Sequence, residues 1–193
     1  MEFVNRALYK TSVWTRTGIL WVAFMAVTWS VAIAAYLIHP QAWQNVSLIQ
    51  PEKGWDMFLF ILGSNAFLLA LIVVGNLFVR FGPVTTGLII LLWQAITIGW
   101  TAGTNGFMEP FPSFAAANRA FLFVGLWETS AYILICAATL PKSLLVSNTF
   151  PAKVWSERNE LKDLNFTRSE KVVIPISIMF LIGAAFVEAF LVW

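Results

Sequence analysis

Charge is what this sequence has least of. Only 11% of its 193 residues are Asp, Glu, Lys or Arg, and 59% are hydrophobic. A water-soluble domain carries about 25% charged and about 45–50% apolar residues. The deficit excludes water as the solvent of most of the surface, and the mean hydropathy of +0.77 agrees. Histidine and cysteine are nearly missing as well. His39 stands alone before a proline, and Cys136 lies in an apolar run. A metal site needs several ligands and a disulfide needs two thiols, so neither residue type supports one. No G-x-S-x-G and no G-x-x-x-x-G-K-[ST] occurs. Catalytic residues, a metal and a cofactor are therefore not expected, and the protein reads as a non-enzyme. The net charge of +2 is too small to suggest a nucleic-acid partner.

What the chain does have is long apolar runs. A membrane-crossing helix takes roughly 20 such residues. Five windows qualify, at about 18–38, 55–79, 83–103, 115–140 and 172–193. His39-Pro40, Arg80-Phe81-Gly82-Pro83, Glu109-Pro110-Phe111-Pro112 and Pro141-Lys142 punctuate them. The first window follows three basic residues and contains Ala32-Ile33-Ala34, as a signal peptide would. Its apolar stretch exceeds the usual 7–15 residues, so an uncleaved first span is expected. The expected fold is all-α: one transmembrane domain over 1–193, a polytopic bundle of about five helices. Asp56 and Asp163 then fall on opposite sides of the membrane and cannot form a catalytic pair.

The few charges are sorted by side. With the N-terminus inside, Arg6, Lys10, Arg16, Arg80, Lys142, Lys153, Arg158, Lys162, Arg168 and Lys171 face the cytoplasm. Only Lys53 and Arg119 face out. That bias is the one cytoplasmic loops carry, and it places the C-terminus outside. Segments 2–16 and 152–168 mix apolar and basic residues and read as interfacial. Lys153, Arg158, Lys162 and Arg168 are expected to meet anionic lipid or a partner on the inner face, the second segment as a surface-lying helix.

Polar groups inside the spans each require a reason, because an ionisable one costs about 2.5–3.5 kcal/mol on insertion scales. Asn65, Gln94 and Glu128 fall at similar depth if the rise is about 1.5 Å per residue. Glu188 lies nearer the outer side. Asn65, Leu69, Ile72 and Asn76 share one helix face, and Ser177, Leu181, Ala184 and Glu188 another. Asn65, Gln94, Glu128 and Glu188 are thus expected to form an intramembrane polar cluster. It would serve either as interhelical glue or as part of a transport path. Gly99-x-x-x-Gly103 adds a close-packing motif.

Four short elements carry a family resemblance: Gly63-Ser64-Asn65-Ala66, Gly82-Pro83-Val84-Thr85-Thr86-Gly87, Gly125-Leu126-Trp127-Glu128, and Ala185-Phe186-Val187-Glu188-Ala189-Phe190. In order and spacing, across about residues 60–190, they resemble the stage II sporulation protein M family of multi-spanning membrane proteins. The resemblance implies a helical membrane component with no established reaction, working with other membrane proteins. The expectation is a non-enzymatic subunit or scaffold of a larger membrane complex, in contact with lipid and with other subunits, in a bacterial inner membrane. The alternative is the membrane component of a transporter of the ABC-exporter kind, using Glu128 and Glu188.

Overall fold

Ser12 starts the first long helix: its hydroxyl accepts the backbone N–H of Thr15 at 3.2 Å, an N-cap that satisfies one of the first turn's orphan donors. The computed structural model describes residues 2–44, 53–147, 154–157 and 164–191. Over these, α1 (Glu2–Tyr9) precedes α2 (Val13–Ile38), α3 (Trp55–Phe78) and α4 (Thr86–Thr104). Then α5 (Phe114–Ala120) runs through a single π turn, 121–125, into α6 (Leu126–Thr139), and α7 (Arg168–Phe190) follows. Five helices among the described residues are long and apolar enough to cross a membrane: α2, α3, α4, the continuous Phe114–Lys142 and α7. The protein is a polytopic helical membrane protein, as its hydropathy implies.

Helix boundaries shift from the sequence reading wherever a cap intervenes. The first span begins at Val13 rather than 18, so Arg16 belongs to it and lies buried. Segment 2–16 is accordingly not one interfacial element: α1 ends at Tyr9 and Ser12 opens a new helix. Thr85 caps α4 by accepting Leu88 N–H at 3.1 Å, which moves that start from 83 to Thr86. A capping box between Thr167 and Glu170 begins α7 at Arg168, four residues early.

Contacts between distant segments sort the bundle into two ends. At the basic end, Tyr9 Oη donates to Pro83 O at 3.2 Å, and Arg80 lies over the Tyr9 ring at 4.2 Å. At the far end, Trp43 Nε1 donates to Gly103 O at 2.8 Å, and Gly54 N donates to Ala189 O at 3.3 Å.

A small sheet at the basic end has no counterpart in the sequence reading. β1 (Val79–Phe81) pairs antiparallel with β2 (Val84–Thr85) and parallel with β3 (Leu145–Ser147), which pairs antiparallel with β4 (Ser156–Glu157). Gly82, at φ +55°, makes the β1–β2 turn that a side chain would strain. The expected surface helix over 152–168 is therefore replaced, in its described part, by extended chain. Ser156 and Glu157 form a strand, residues 164–167 are non-helical, and Arg168 opens α7. The backbone donors there pair with β3 instead of with each other. Lys153, Arg158 and Lys162 lie outside the described residues.

Packing is tightest where side chains are smallest. In lipid, apolar side chains gain little by leaving the solvent for one another, so close backbone approach matters more. A Cβ on Gly99 would collide with Thr28 O and stand 2.9 Å from Val31 Cβ; one on Gly103 would stand 2.6 Å from Ala35 Cβ. The Gly99-x-x-x-Gly103 motif is thus the seam between α2 and α4. A Cβ on Gly75 would meet Gly87 N at 2.6 Å, which ties α3 to α4 the same way. In the middle stands α6, buried without a break from Ala131 to Leu140. Protein therefore surrounds this stretch on every side, which places it at the centre of the bundle.

Gly99→Leu should wedge α2 from α4 and lower the unfolding midpoint in detergent by at least about 2 kcal/mol equivalent, at the upper part of the overpacking range. Gly63→Leu, where no atom lies within 4 Å of an added Cβ, should unfold within a few tenths of a kcal/mol of the parent.

Candidate functional site

Polar groups inside the bundle fall into two sets, and the difference lies in whether they are satisfied. Asn76 belongs to the first. Its Nδ2 donates to Thr139 Oγ1 at 2.9 Å and to Cys136 O at 3.2 Å, and its Oδ1 accepts from Thr85 Oγ1. Ser143 Oγ donates to its backbone carbonyl at 2.7 Å. Ser177 Oγ donates to Ala131 O at 2.8 Å, and Thr28 Oγ1 to Ala95 O at 3.2 Å. These are interhelical bonds of the kind that hold spans together.

A charged clamp closes the same end. The Glu170 carboxylate meets Lys142 Nζ at 2.7 Å and Arg16 Nη1 at 3.9 Å. Its Oε2 also accepts Thr167 N–H at 2.8 Å. Arg16 in turn donates to Ala137 O and Thr11 O. The starts of α2 and α7 and the end of α6 are thereby pinned by one buried carboxylate.

The second set surrounds a cavity of 320 Å³ that runs from the far end toward mid-depth. Gln94 of α4, Glu128 of α6 and Glu188 of α7 all line it. Three of the four expected cluster residues therefore come together. Asn65 does not: it is half-buried on α3 and away from the cavity. The first half of α3 does reach the bundle, with Met57, Phe60 and Ile61 lining the cavity and Trp55 and Phe58 against Phe190, but Asn65 is off that lining, and α3 is fully buried only at Ile72, Gly75 and Asn76. The amide that bonds across helices is Asn76, about three turns further along the same stripe.

Glu128 is held by its own helix. Tyr132 Oη, one turn on and fully buried, donates to Oε1 at 2.7 Å. No other hydrogen bond reaches Glu128, and none reaches Glu188, among the described residues. Both carboxyls are surrounded by protein yet retain partial exposure, because each faces the cavity. They lie close enough to interact electrostatically.

The local backbone is unusual at this point. Leu126 N–H reaches back five residues to Phe121 O, a π turn one residue wider than the helical norm. Such turns cluster at functional sites because they re-aim side chains. A Cβ on Gly125 would stand 2.6 Å from the Phe121 ring, so the glycine makes room for that ring in the cavity wall.

The cavity mouth is capped by the loop after α4. Asn105, at φ +51°, donates to Phe111 O at 3.0 Å and accepts Phe111 N–H at 2.9 Å, which closes the loop on itself. The loop presents Phe107, Glu109 and Phe111 to the cavity. Partial desolvation there raises the Glu109 carboxyl above its ordinary value. Sequence reading missed Glu109 because it sits in a Pro-rich loop, outside every apolar window. Arg168, expected to meet lipid or a partner, is exposed on the first turn of α7, at the basic end and away from this site.

Comparison with protein-family models, with curated proteins and with solved structures finds no match for this chain.

An apolar carbodiimide, which condenses with carboxylic acids in low-dielectric surroundings, should form mass-shifted adducts at Glu128 or Glu188. It should leave Glu170, buried between two cations, unmodified. Gly125→Val, which drives the Phe121 ring into the cavity, should cut the yield at Glu128. Equal modification of Glu170 would show that the reagent reads no cavity.

Proposed function

We propose that the protein is a non-enzymatic integral membrane component of the transport type, which receives a ligand in the cavity lined by Glu128 and Glu188. One observation carries this reading: the two carboxylates make no interhelical hydrogen bond among the described residues, although polar groups elsewhere in the bundle do. Glue is the role of Asn76, Ser177, Thr28 and Glu170. A carboxylate left facing an open cavity in a membrane protein marks a substrate or ion path. The basic residues gathered at one end support an N-terminus in the cytoplasm, and a bacterial inner membrane is what the resemblance to the sporulation family implies.

A second observation favours work within a larger assembly, as the resemblance to the sporulation family implies. The outward face of α3 leaves Gly63 and Ser64 exposed and Asn65 half-buried at mid-span. Small and polar residues in that position suit a neighbouring helix better than lipid tails. In this reading the chain is the membrane subunit of a complex.

Stability separates a ligand site from glue. Interhelical polar bonds are worth about 0.6–2 kcal/mol, so as glue Glu188→Leu would lower the unfolding midpoint. As a ligand site it should unfold at or above the parent's midpoint, since functional carboxylates are held at a cost in stability. Glu128→Gln should match the parent within a few tenths of a kcal/mol, because Gln retains an acceptor for Tyr132. A marked loss in Glu188→Leu would sink the transport reading.

Orientation is tested separately. With Cys136 buried, a thiol at Ser156→Cys should react with a membrane-impermeant reagent only in inside-out vesicles, and one at Ser113→Cys only in right-side-out cells. Reaction of both from one side would overturn the proposed topology.

A further inference from the structure

The cavity's lining restricts what can occupy it. It combines carboxylates with aromatic walls, and among the described residues no Lys, Arg or His lines it. An anion would meet Glu128 and Glu188 with nothing to offset them. A neutral apolar molecule would leave Glu188 without a partner and Glu128 with Tyr132 alone in low dielectric. A bare inorganic cation would leave most of the space empty, since 320 Å³ is some ten times the ~30 Å³ a water takes in the liquid. Sites of about 300–1,000 Å³ hold small organic molecules.

The walls match an organic body. Trp29, Phe60, Phe107, Phe114 and Phe121 come from four separate parts of the chain and all line the cavity. Aromatic faces attract cations within about 6 Å, more strongly when water is excluded. At the mouth Glu109 adds a third acidic group, which raises the local concentration of approaching cations. At depth, Glu128 offers Oε2 with Oε1 fixed by Tyr132, so its direction is set before a ligand arrives.

We propose that the cavity binds lipophilic organic cations: a single delocalised or shielded positive charge on an aromatic or branched apolar body. This rests on the transport reading above and names its substrate class. The charge sits between Glu128 and Glu188, the body against the aromatic walls, and Gln94 supplies a neutral polar contact on the α4 side.

The test uses two probes of matched shape and opposite charge, tetraphenylphosphonium and tetraphenylborate. Each is titrated into the full chain in nanodiscs of zwitterionic lipid, with empty nanodiscs subtracted for partition. Tetraphenylphosphonium should bind saturably, at about one per chain for a cavity of this size, and tetraphenylborate should not. Glu128→Gln and Glu188→Gln should each weaken phosphonium binding by about tenfold or more, as loss of a buried charge partner does. Glu157→Gln, at the opposite end, should leave it unchanged. Saturable borate binding as tight as phosphonium binding would overturn the cation class and leave a ligand-binding cavity standing. Phosphonium binding that survives both Glu substitutions would place the probe elsewhere and overturn the proposal. If neither probe saturates, the cation class falls, and the stability of Glu188→Leu then decides independently whether the transport reading falls with it.

Discussion

The amide of Asn76 is the point on which the basic half of the bundle depends. A primary amide has two donors and an acceptor with two lone pairs. Here one donor group serves α6 twice, through Cys136 O and Thr139 Oγ1, while the acceptor takes the hydroxyl that caps α4. The same residue's carbonyl takes Ser143 from the segment after α6. One side chain and its backbone therefore fix three spans and a connection. The contact is possible only because Gly75 and Gly87 bring α3 and α4 together: a Cβ on Gly87 would occupy the place of the Asn76 side chain. Small residues and polar bonds are one device, since the backbones must approach before so short a side chain can reach.

This solid half makes the hollow half intelligible. At the basic end α3 packs on α4, α6 and the strands, and Glu170 draws together α2, α6 and α7. Toward the far end α3 is largely exposed, and the space between it and α4, α6 and α7 is the cavity. The Gly99 and Gly103 seam keeps α2 and α4 in contact over the same depth, and α2 closes the cavity there through Thr28, Trp29 and Ala32. Glu128 and Glu188 face the space that remains.

The spans were legible in the sequence because five apolar windows of sufficient length leave few alternatives once lipid is the solvent. Two helix faces were legible for the same geometric reason: Ser177, Leu181 and Ala184 are all buried, as the 3.6-residue period requires, and so are Ile72 and Asn76. What could not be read was how far each helix departs from its neighbours. Depth counted along a helix put Asn65 level with Glu128 and Gln94, but depth does not fix which side of the helix lines a space: Met57, Phe60 and Ile61 of the same helix line the cavity and Asn65 does not. The strands at the basic end were illegible because two- and three-residue runs carry no period. Arg16 was read as part of an interfacial segment, and its pairing with Glu170 was illegible because it joins positions far apart in the chain. The Thr167-x-x-Glu170 spacing was a usable sign that a helix begins there.

Why a bundle that can satisfy so many polar groups leaves Glu128 and Glu188 without interhelical bonds is a question about cost. Donors stand close by: Thr129 Oγ1 is spent on its own helix, at 2.7 Å from Gly125 O, and Gln94 faces the same space as the two acids. A chain under selection for stability alone could close the gap with leucine at either acidic position, since an apolar group of similar size is at least as stable as a buried charge. Tyr132 argues in the same direction. Its side chain is buried and its bond fixes one carboxyl oxygen of Glu128, while among the described residues no bond holds the other, on a side chain that lines the cavity. A structural role would have turned both oxygens toward protein donors, as it has for Glu170, whose two oxygens meet Arg16, Lys142 and the Thr167 backbone. The contrast between Glu170 and Glu128, two glutamates inside one small bundle, is the strongest physical reason to regard the second as held ready for something that the chain itself does not supply.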